Sequence, residues 1–164
     1  MHKNVLLVVE AAKAVGLPIT PSQFPSGTRT AADAAAAIGV EVGQIVKSLV
    51  FAVGDPTDPA SGEIVMAFVA GDNQLDESRL AAAAGCAGAW RVDADTVRAA
   101  TGFPVGGVPP LGHATKLRLF ADPDLLRYPE VWAAAGTPHD NFALAPHALV
   151  DVLGATAVEL ARRS

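Results

Sequence analysis

Lys47 lies within Ile45-Val46-Lys47-Ser48-Leu49-Val50-Phe51-Ala52-Val53, a β-rich run whose other members are almost all apolar. A strand alternates its side chains between two faces, so Lys47 shares a face with Ile45, Leu49 and Phe51, and its amine rises from an apolar surface. An ammonium withdrawn from water without a partner is costly. The nearest acids in sequence, Glu41 and Asp55, lie outside the strand. Two readings meet here: a pocket lysine that receives an anionic ligand, or an edge-strand lysine that snorkels to solvent and blocks strand pairing.

The second chemical feature is the run from Phe103 to His113, with Gly106-Gly107-Val108-Pro109-Pro110 at its centre. Adjacent glycines let backbone amides approach a ligand closely, and the prolines stiffen the loop. Such a loop can grip a carbonyl or an oxyanion without side chains. It can equally be a tight turn joining two elements. Its spacing is not that of a Walker loop and no helix start follows, which argues against a nucleoside triphosphate. His113, just beyond the loop, either lines the same cavity or is a satisfied surface histidine. In the turn His139-Asp140-Asn141, Asn141 is best placed to point a polar amide inward beside Phe142.

Other chemistries are disfavoured. The histidines at 2, 113, 139 and 147 have no metal-ligand spacing, and no serine sits in a Gly-x-Ser-x-Gly elbow. The lone Cys86 excludes an intramolecular disulfide and a thiolate-cluster zinc site, and reads as a structural thiol. Neither a metal nor a cofactor is expected.

The elements that must position these residues can be read from periodicity and caps. Val5, Val8, Val9, Ala12 and Val15 recur at helical spacing, with Asn4 as N-cap and Gly16 and Pro18 as the stop. Pro18, Pro21 and Pro25 impose an extended segment, after which Thr30 caps a short helix over Ala31 to Ile38, closed by Gly39. The Lys47 strand and a second β-rich run, Glu63 to Ala70, are expected to pair antiparallel across the loop Gly54 to Gly62. A helix over Asp76 to Ala84, a strand over Ala89 to Val92 and a helix over Asp93 to Ala100, capped by Asp93 and closed by Gly102, come next. Beyond the Gly/Pro loop, strands are expected at Leu117 to Ala121, around Val131 to Ala135 and at Phe142 to Leu144. A helix over Pro146 to Leu153 and a strand over Thr156 to Leu160 complete the chain. Strict βαβ alternation is absent, which favours an α+β fold: a curved mixed, largely antiparallel sheet flanked by helices, in a single domain over 1–164.

The whole composition agrees. The chain has 164 residues, 51% hydrophobic and only 5% aromatic, with alanine runs at 34–37, 81–84 and 133–135, as in one domain with a finely packed core. Its 12 Lys+Arg against 17 Asp+Glu give a net charge of −5, which argues against coating duplex nucleic acid and leaves a nucleic-acid end as a partner. The apolar run Val5 to Val9 is shorter than the about 7 to 15 residues of a secretory signal. No run approaches the about 20 residues of a membrane span. The expected location is the cytoplasm, with neither membrane nor duplex DNA as partner.

Taken together, these landmarks resemble the YbaK family of aminoacyl-tRNA deacylases, which also occurs as the editing domain inserted in some bacterial prolyl-tRNA synthetases. The resemblance runs nearly end to end. It is carried by Thr30-Ala31-Ala32 through Ile38-Gly39-Val40, by Gln44 to Phe51, by Thr101-Gly102-Phe103 with Gly106 to His113, and by Ala135-Gly136 with Asn141-Phe142-Ala143-Leu144.

The resemblance implies an α+β fold of that family's type, no metal, and hydrolysis of the ester joining a wrong amino acid to the 3′-terminal ribose of tRNA. It implies that Lys47 is the residue most tied to activity, and that the Gly/Pro loop walls the pocket, with Gly107 in the catalytic set. Phe24, Thr30, Gly106, Val108, Pro109, Gly112, His113 and Asn141 would bind substrate, and Arg29 and Lys116 would assist Lys47 with the acceptor end. Family members specialised for cysteine on proline tRNA carry an Asp where this chain has Asn141. The likeness is therefore nearer to free-standing relatives that clear alanine or other small residues, with aminoacyl-tRNA and a prolyl-tRNA synthetase as expected partners. From the residues alone, water is the expected nucleophile, and two alternatives stay open: a non-catalytic module that binds tRNA ends or a synthetase, and a metal-free hydrolase of small esters.

Overall fold

The structure, a computed structural model, describes residues 1–163. The chain enters through α1 (Lys3–Ala14), whose buried Val5, Val8 and Ala12 face the core. Its N-cap is His2 rather than the expected Asn4: His2 Nδ1 accepts the Asn4 N–H at 3.0 Å. The Asn4 side chain is committed elsewhere, donating to the Gly136 carbonyl at 3.0 Å and tying the helix to a distant turn. An extended stretch holding β1 (Ser22–Gln23) leads to α2 (Ala31–Ile38). Thr30 Oγ1 accepts the Asp33 N–H at 3.1 Å at the start of α2, and Gly39 ends it at φ +86°, as the capping pattern anticipates.

β2 (Val46–Gly54) and β3 (Glu63–Ala70) form the expected antiparallel pair, in register from Val46 opposite Ala70 to Val53 opposite Glu63. α3 (Glu77–Ala84) follows, capped by Asp76, and then β4 (Gly88–Arg91) returns antiparallel to the far edge of β2. α4 (Ala94–Thr101) is capped by Asp93 and closed by Gly102. After the Gly/Pro loop come β5 (Arg118–Ala121), β6 (Val131–Ala134), β7 (Asp140–Leu144), α5 (His147–Asp151) and β8 (Thr156–Ala157).

The α+β class stands, with the strands divided between two sheets rather than held in one. The larger runs β4-β2-β3-β5-β8, with β3, β5 and β8 parallel; the smaller, β1-β7-β6, is antiparallel. A single bridge between Ile45 and Trp132 joins them. The division follows from burial. Val131, Ala133, Phe142 and Leu144 pack into the same core as Met66, Phe68 and Phe103, so the small sheet lies against the large one instead of extending it. The last strand is also shorter than expected. It stops at Ala157, after which Leu160 and Ala161 are buried and Arg162 N–H donates to Gln74 O at 2.8 Å.

β3 is the centre of the molecule. Met66, Phe68 and Ala70 face one apolar cluster, Val65, Ala67 and Val69 face the other, and all six have 0% exposure. A strand buried on both faces reads as an unbroken apolar run, as this one does. Among the described residues, no helix is long and apolar enough to cross a membrane.

Candidate functional site

β3 covers one edge of β2 from Val46 to Val53, whereas β4 covers the other edge only at Phe51–Gly54. On that second edge Ile45 makes its bridge to Trp132. Between these two attachments, Val46–Val50 has an edge without a partner strand, and strand geometry turns about half of its N–H and C=O groups that way. A cavity of 480 Å³, within the range of small-molecule sites, opens over this gap. Successive residues from Ile45 to Phe51 line it, so its floor is the strand's edge rather than one face. Its walls are the start of α2, with Thr30, Ala31 and Ala34; the Gly/Pro loop, with Val105, Gly106 and Val108; Val92 before α4 and Val97 within it; and Asn141 of β7.

Lys47 lines this cavity and is half-buried, but its ammonium has found partners. Nζ donates to the main-chain oxygen of Asn73, in the turn after β3. Burial lowers its pKa, while the charges of Asp72 and Asp122 work in the opposite direction. These acids come from the turn after β3 and the residue after β5, and strand-local reading did not anticipate them. Asp122 is fully buried. Its Oδ2 accepts from Ala70 N at 3.1 Å and Asn73 Nδ2 at 2.8 Å, and its Oδ1 accepts from Asp124 N at 2.9 Å. Lys47 therefore serves both as part of the cavity's floor and as a countercharge to a buried carboxylate, with partners that come from outside its own strand.

The Gly/Pro loop divides into two parts. Gly106, at φ +90°, faces the cavity, and the Arg29 stem packs on it so closely that a β-carbon would stand 3.0 Å from Arg29 Cγ. Gly107 turns away: a β-carbon there would lie 2.8–2.9 Å from the Thr137 backbone, and its N–H donates to Pro104 O at 3.0 Å. Of the loop amides from Gly106 to Val108 that could polarise a substrate, that of Gly107 is thus already used, and Gly107 instead lets the loop seat against Thr137.

Pro109, Gly112 and His113 do not line the cavity. His113 Nε2 donates to Pro109 O at 2.7 Å, and Gly112 approaches Ala11 of α1, where a β-carbon would stand 3.3 Å from the Ala11 methyl. These residues brace the loop against α1. Burial lowers the His113 pKa, partly offset by the bond to Pro109. Because the folded value is below the unfolded one, the unfolded state takes up a proton first, and stability is lost as pH falls from about 6.5 through the folded value. The fall in melting temperature between pH 7.5 and pH 5 should shrink in His113→Gln; an identical fall would show that this ring does not titrate on unfolding.

Asn141 is buried and faces the cavity. Its Nδ2 donates to Thr28 Oγ1, which donates to Pro138 O at 3.0 Å, so the Asn141 side-chain oxygen is left as an acceptor. Phe24 is not a wall; it packs edge-on against Trp132 with ring centroids 6.3 Å apart. Lys116 lies in a separate depression with Glu63, Leu119 and Gly154, which removes it from any acceptor-end contact at this cavity. Residues passed over in the sequence join the site, among them Ser48, Arg91 and Val97. Among the described residues, Ser48 Oγ is the one buried side-chain polar atom with no hydrogen-bond partner. Among the described residues, no Asp, Glu, His or Cys lines the cavity. Among the described residues, no group of three such side chains could hold a metal ion.

A protein-family model described as an aminoacyl-tRNA editing domain matches residues 25–152. A solved structure described as a candidate trans-editing enzyme for prolyl tRNA synthetase is 40% identical, covers 99% of both chains and superposes with a TM-score of 0.89. The proline–tRNA ligase of Geobacter sp. (strain M21) is 38% identical over 96 residues, which are 58% of this chain and 16% of the ligase. The chain therefore spans only a small part of the length of the ligases it matches. An Enterococcus faecalis protein named, as a candidate, Cys-tRNA(Pro)/Cys-tRNA(Cys) deacylase EbsC is 28% identical over 131 residues, covering 80% of this chain and 76% of that protein.

Proposed function

The chain belongs to the family of aminoacyl-tRNA editing domains, and from that premise we propose that it hydrolyses the ester between a wrong amino acid and the 3′-terminal ribose of a tRNA. The observation that carries this reading is the bare edge of β2 opening into a cavity that no carboxylate, imidazole or thiol lines. Backbone N–H groups fixed on a strand are donors that need no reorganisation, and aimed at an ester carbonyl they favour the charge that develops on its oxygen. Water adds to the carbonyl carbon, the bond to the ribose oxygen breaks, and that oxygen leaves with a proton. With no carboxylate, imidazole or thiol among the described residues that line the cavity, the ribose hydroxyl or the substrate's amine delivers the water. Lys47 supplies positive charge at the floor, and Thr30, Gly106, Val108 and Asn141 shape the walls.

Small apolar side chains, among them Ala31, Ala34, Val92 and Val105, line part of the cavity, in keeping with a small amino acid such as alanine. The ligase relatives suggest tRNA for proline, with action in trans alongside a prolyl-tRNA synthetase, in the cytoplasm. One methylene is worth only about 1 to 3 kcal/mol, so size exclusion of the correct residue is part of the selection. The test is a panel of tRNAs charged with Ala, Ser, Thr, Cys and Pro, incubated with pure protein while residual ester is counted. Rapid loss from one small amino acid with proline spared is expected; no loss from any would refute the reading, and equal hydrolysis of free esters would move it to a general esterase.

Ser48 extends this reading. A buried hydroxyl without a partner costs about 1–3 kcal/mol, and a ligand in the cavity can offer it one. Ser48→Ala should keep or slightly raise the melting temperature while lowering kcat/KM at least about tenfold. A variant that is unchanged in kinetics would assign the hydroxyl no part in the site.

A further inference from the structure

Lys47 ends a chain of contacts that starts at a buried carboxylate. Asp122 lies just after β5, where its N–H donates to Phe68 O at 2.8 Å and its Oδ2 accepts from Ala70 N, so it is fixed to the end of β3. The next link is the Asn73 side chain. Its Nδ2 donates to Asp122 Oδ2 and to Asp124 Oδ2, each at 2.8 Å, which uses both N–H bonds of the amide. Asp124 is held in turn by Arg163, whose Nη2 donates to it at 3.1 Å. The Asn73 N–H closes the turn by donating to Ala70 O at 2.9 Å, and the Asn73 carbonyl accepts from Lys47 Nζ. Nζ has no other hydrogen bond and no ion pair among the described residues, so two of the three ammonium N–H bonds are left over.

We propose that Asp122 and Asn73 are positioning residues for Lys47: Asp122 anchors the Asn73 amide, the amide fixes the turn after β3, and the carbonyl of that turn holds the ammonium at the cavity floor. The proposal rests on the deacylase reading above and adds what keeps its lysine in place. A lysine is a point charge on a flexible four-carbon stem, and an ammonium that wanders favours charge at no particular atom. One bond to a fixed carbonyl removes that freedom and still leaves donors for a ligand. The same chain of contacts supports the charge itself. Burial favours the neutral amine, and Asp122 and Asp72 oppose it. The other charged groups around this point are Asp124 on the Asn73 amide and, from the cavity side, Arg29 and Arg91. A carboxylate buried away from the cavity thus acts on the cavity through one amide and one carbonyl.

The test observes Lys47 by NMR of protein carrying isotope-labelled lysine, in which the other signals come from Lys3, Lys13 and Lys116. The Lys47 Cε signal is the one lost in Lys47→Arg. Its two Hε protons should be resolved from each other in wild type, as in a held side chain, and merge in Asn73→Ala, which keeps the carbonyl and drops both carboxylate links. In Asp122→Asn the signal should titrate at a lower pH than in wild type, because a negative charge that favours the ammonium is gone. Deacylation of a charged minihelix by folded Asn73→Ala should show kcat at least about tenfold lower with KM within about twofold. In the Lys47→Ala background the Asn73→Ala change should cost nothing further, since it acts through that ammonium. Hε protons that stay resolved in Asn73→Ala, an unmoved titration in folded Asp122→Asn, or additive losses in the double variant would each overturn the proposal. Should Asp122→Asn not fold, the Asn73→Ala signal and the double variant decide it. Merged protons in Asn73→Ala and a lowered titration in Asp122→Asn, without ester turnover on any charged tRNA, would uphold the positioning of Lys47 and refute the deacylase reading.

Discussion

Lys47→Ala is expected to lower deacylation of a mischarged tRNA by at least about a hundredfold, the loss typical of removing one preorganised electrostatic group from an active site. The same change should also cost stability. It takes away the positive charge near Asp72 and the fully buried Asp122, and it leaves the Asn73 carbonyl without its donor. Lys47 is only half-buried, so the penalty is below that of breaking a fully buried pair, about 1–2 kcal/mol. For a chain of this size that is about 2–8 °C in melting temperature. Lys47→Arg separates the two roles. Its charge should recover much of the stability, while its planar fork replaces a compact ammonium poorly and leaves activity low. Near wild-type turnover by folded Lys47→Ala would end the catalytic assignment.

Gly107→Val should have the largest effect on the fold. A β-carbon 2.8–2.9 Å from the N, Cα and C atoms of Thr137 meets backbone on the other side, which cannot rotate away. Either the Gly/Pro loop or the segment before β7 must shift. Overpacking of this kind costs about 1–3 kcal/mol, and the γ-branches of valine make the upper part of that range the expectation. Gly106 and Val108 move with the loop, and they wall the cavity, so kcat/KM in the surviving folded protein should fall at least about tenfold. Thermal melting and minihelix deacylation on the same preparation check both statements. A variant with wild-type melting and kinetics would show that the loop does not depend on this close approach.

Local signals made much of the fold legible. Thr30 and Asp93 cap the helices that follow them, and Gly39 and Gly102 end them, because side-chain caps and left-handed glycines act within a few residues. The β2–β3 pair was readable for the same reason. The division into two sheets was not, since it depends on which buried faces meet, and Phe142 and Val131 look alike in either arrangement. At the site, Lys47 and Gly106 stood out by type. The role of Gly107 did not, because a glycine that approaches a ligand and one that approaches Thr137 have the same sequence signature. Nothing in the sequence marks Arg91; its place beside the cavity depends on where the short β4 ends against β2. Asp122 was beyond reach because its link to Lys47 spans the distance from β2 to the end of β5.

Five residues of unpaired strand edge, about 16 Å of backbone, would on an open surface be a template for aggregation. In this protein the Ile45–Trp132 bridge closes one end of that stretch and β4 the other, and α2 and the Gly/Pro loop stand around it. A neighbouring copy cannot lay a strand along Val46–Val50 without displacing those walls, whereas a small ester can enter between them. The recess is thus a form of quarantine for reactive backbone, and its integrity rests on the loop seated against Thr137. Variants that unseat the loop should clump on warming before they unfold.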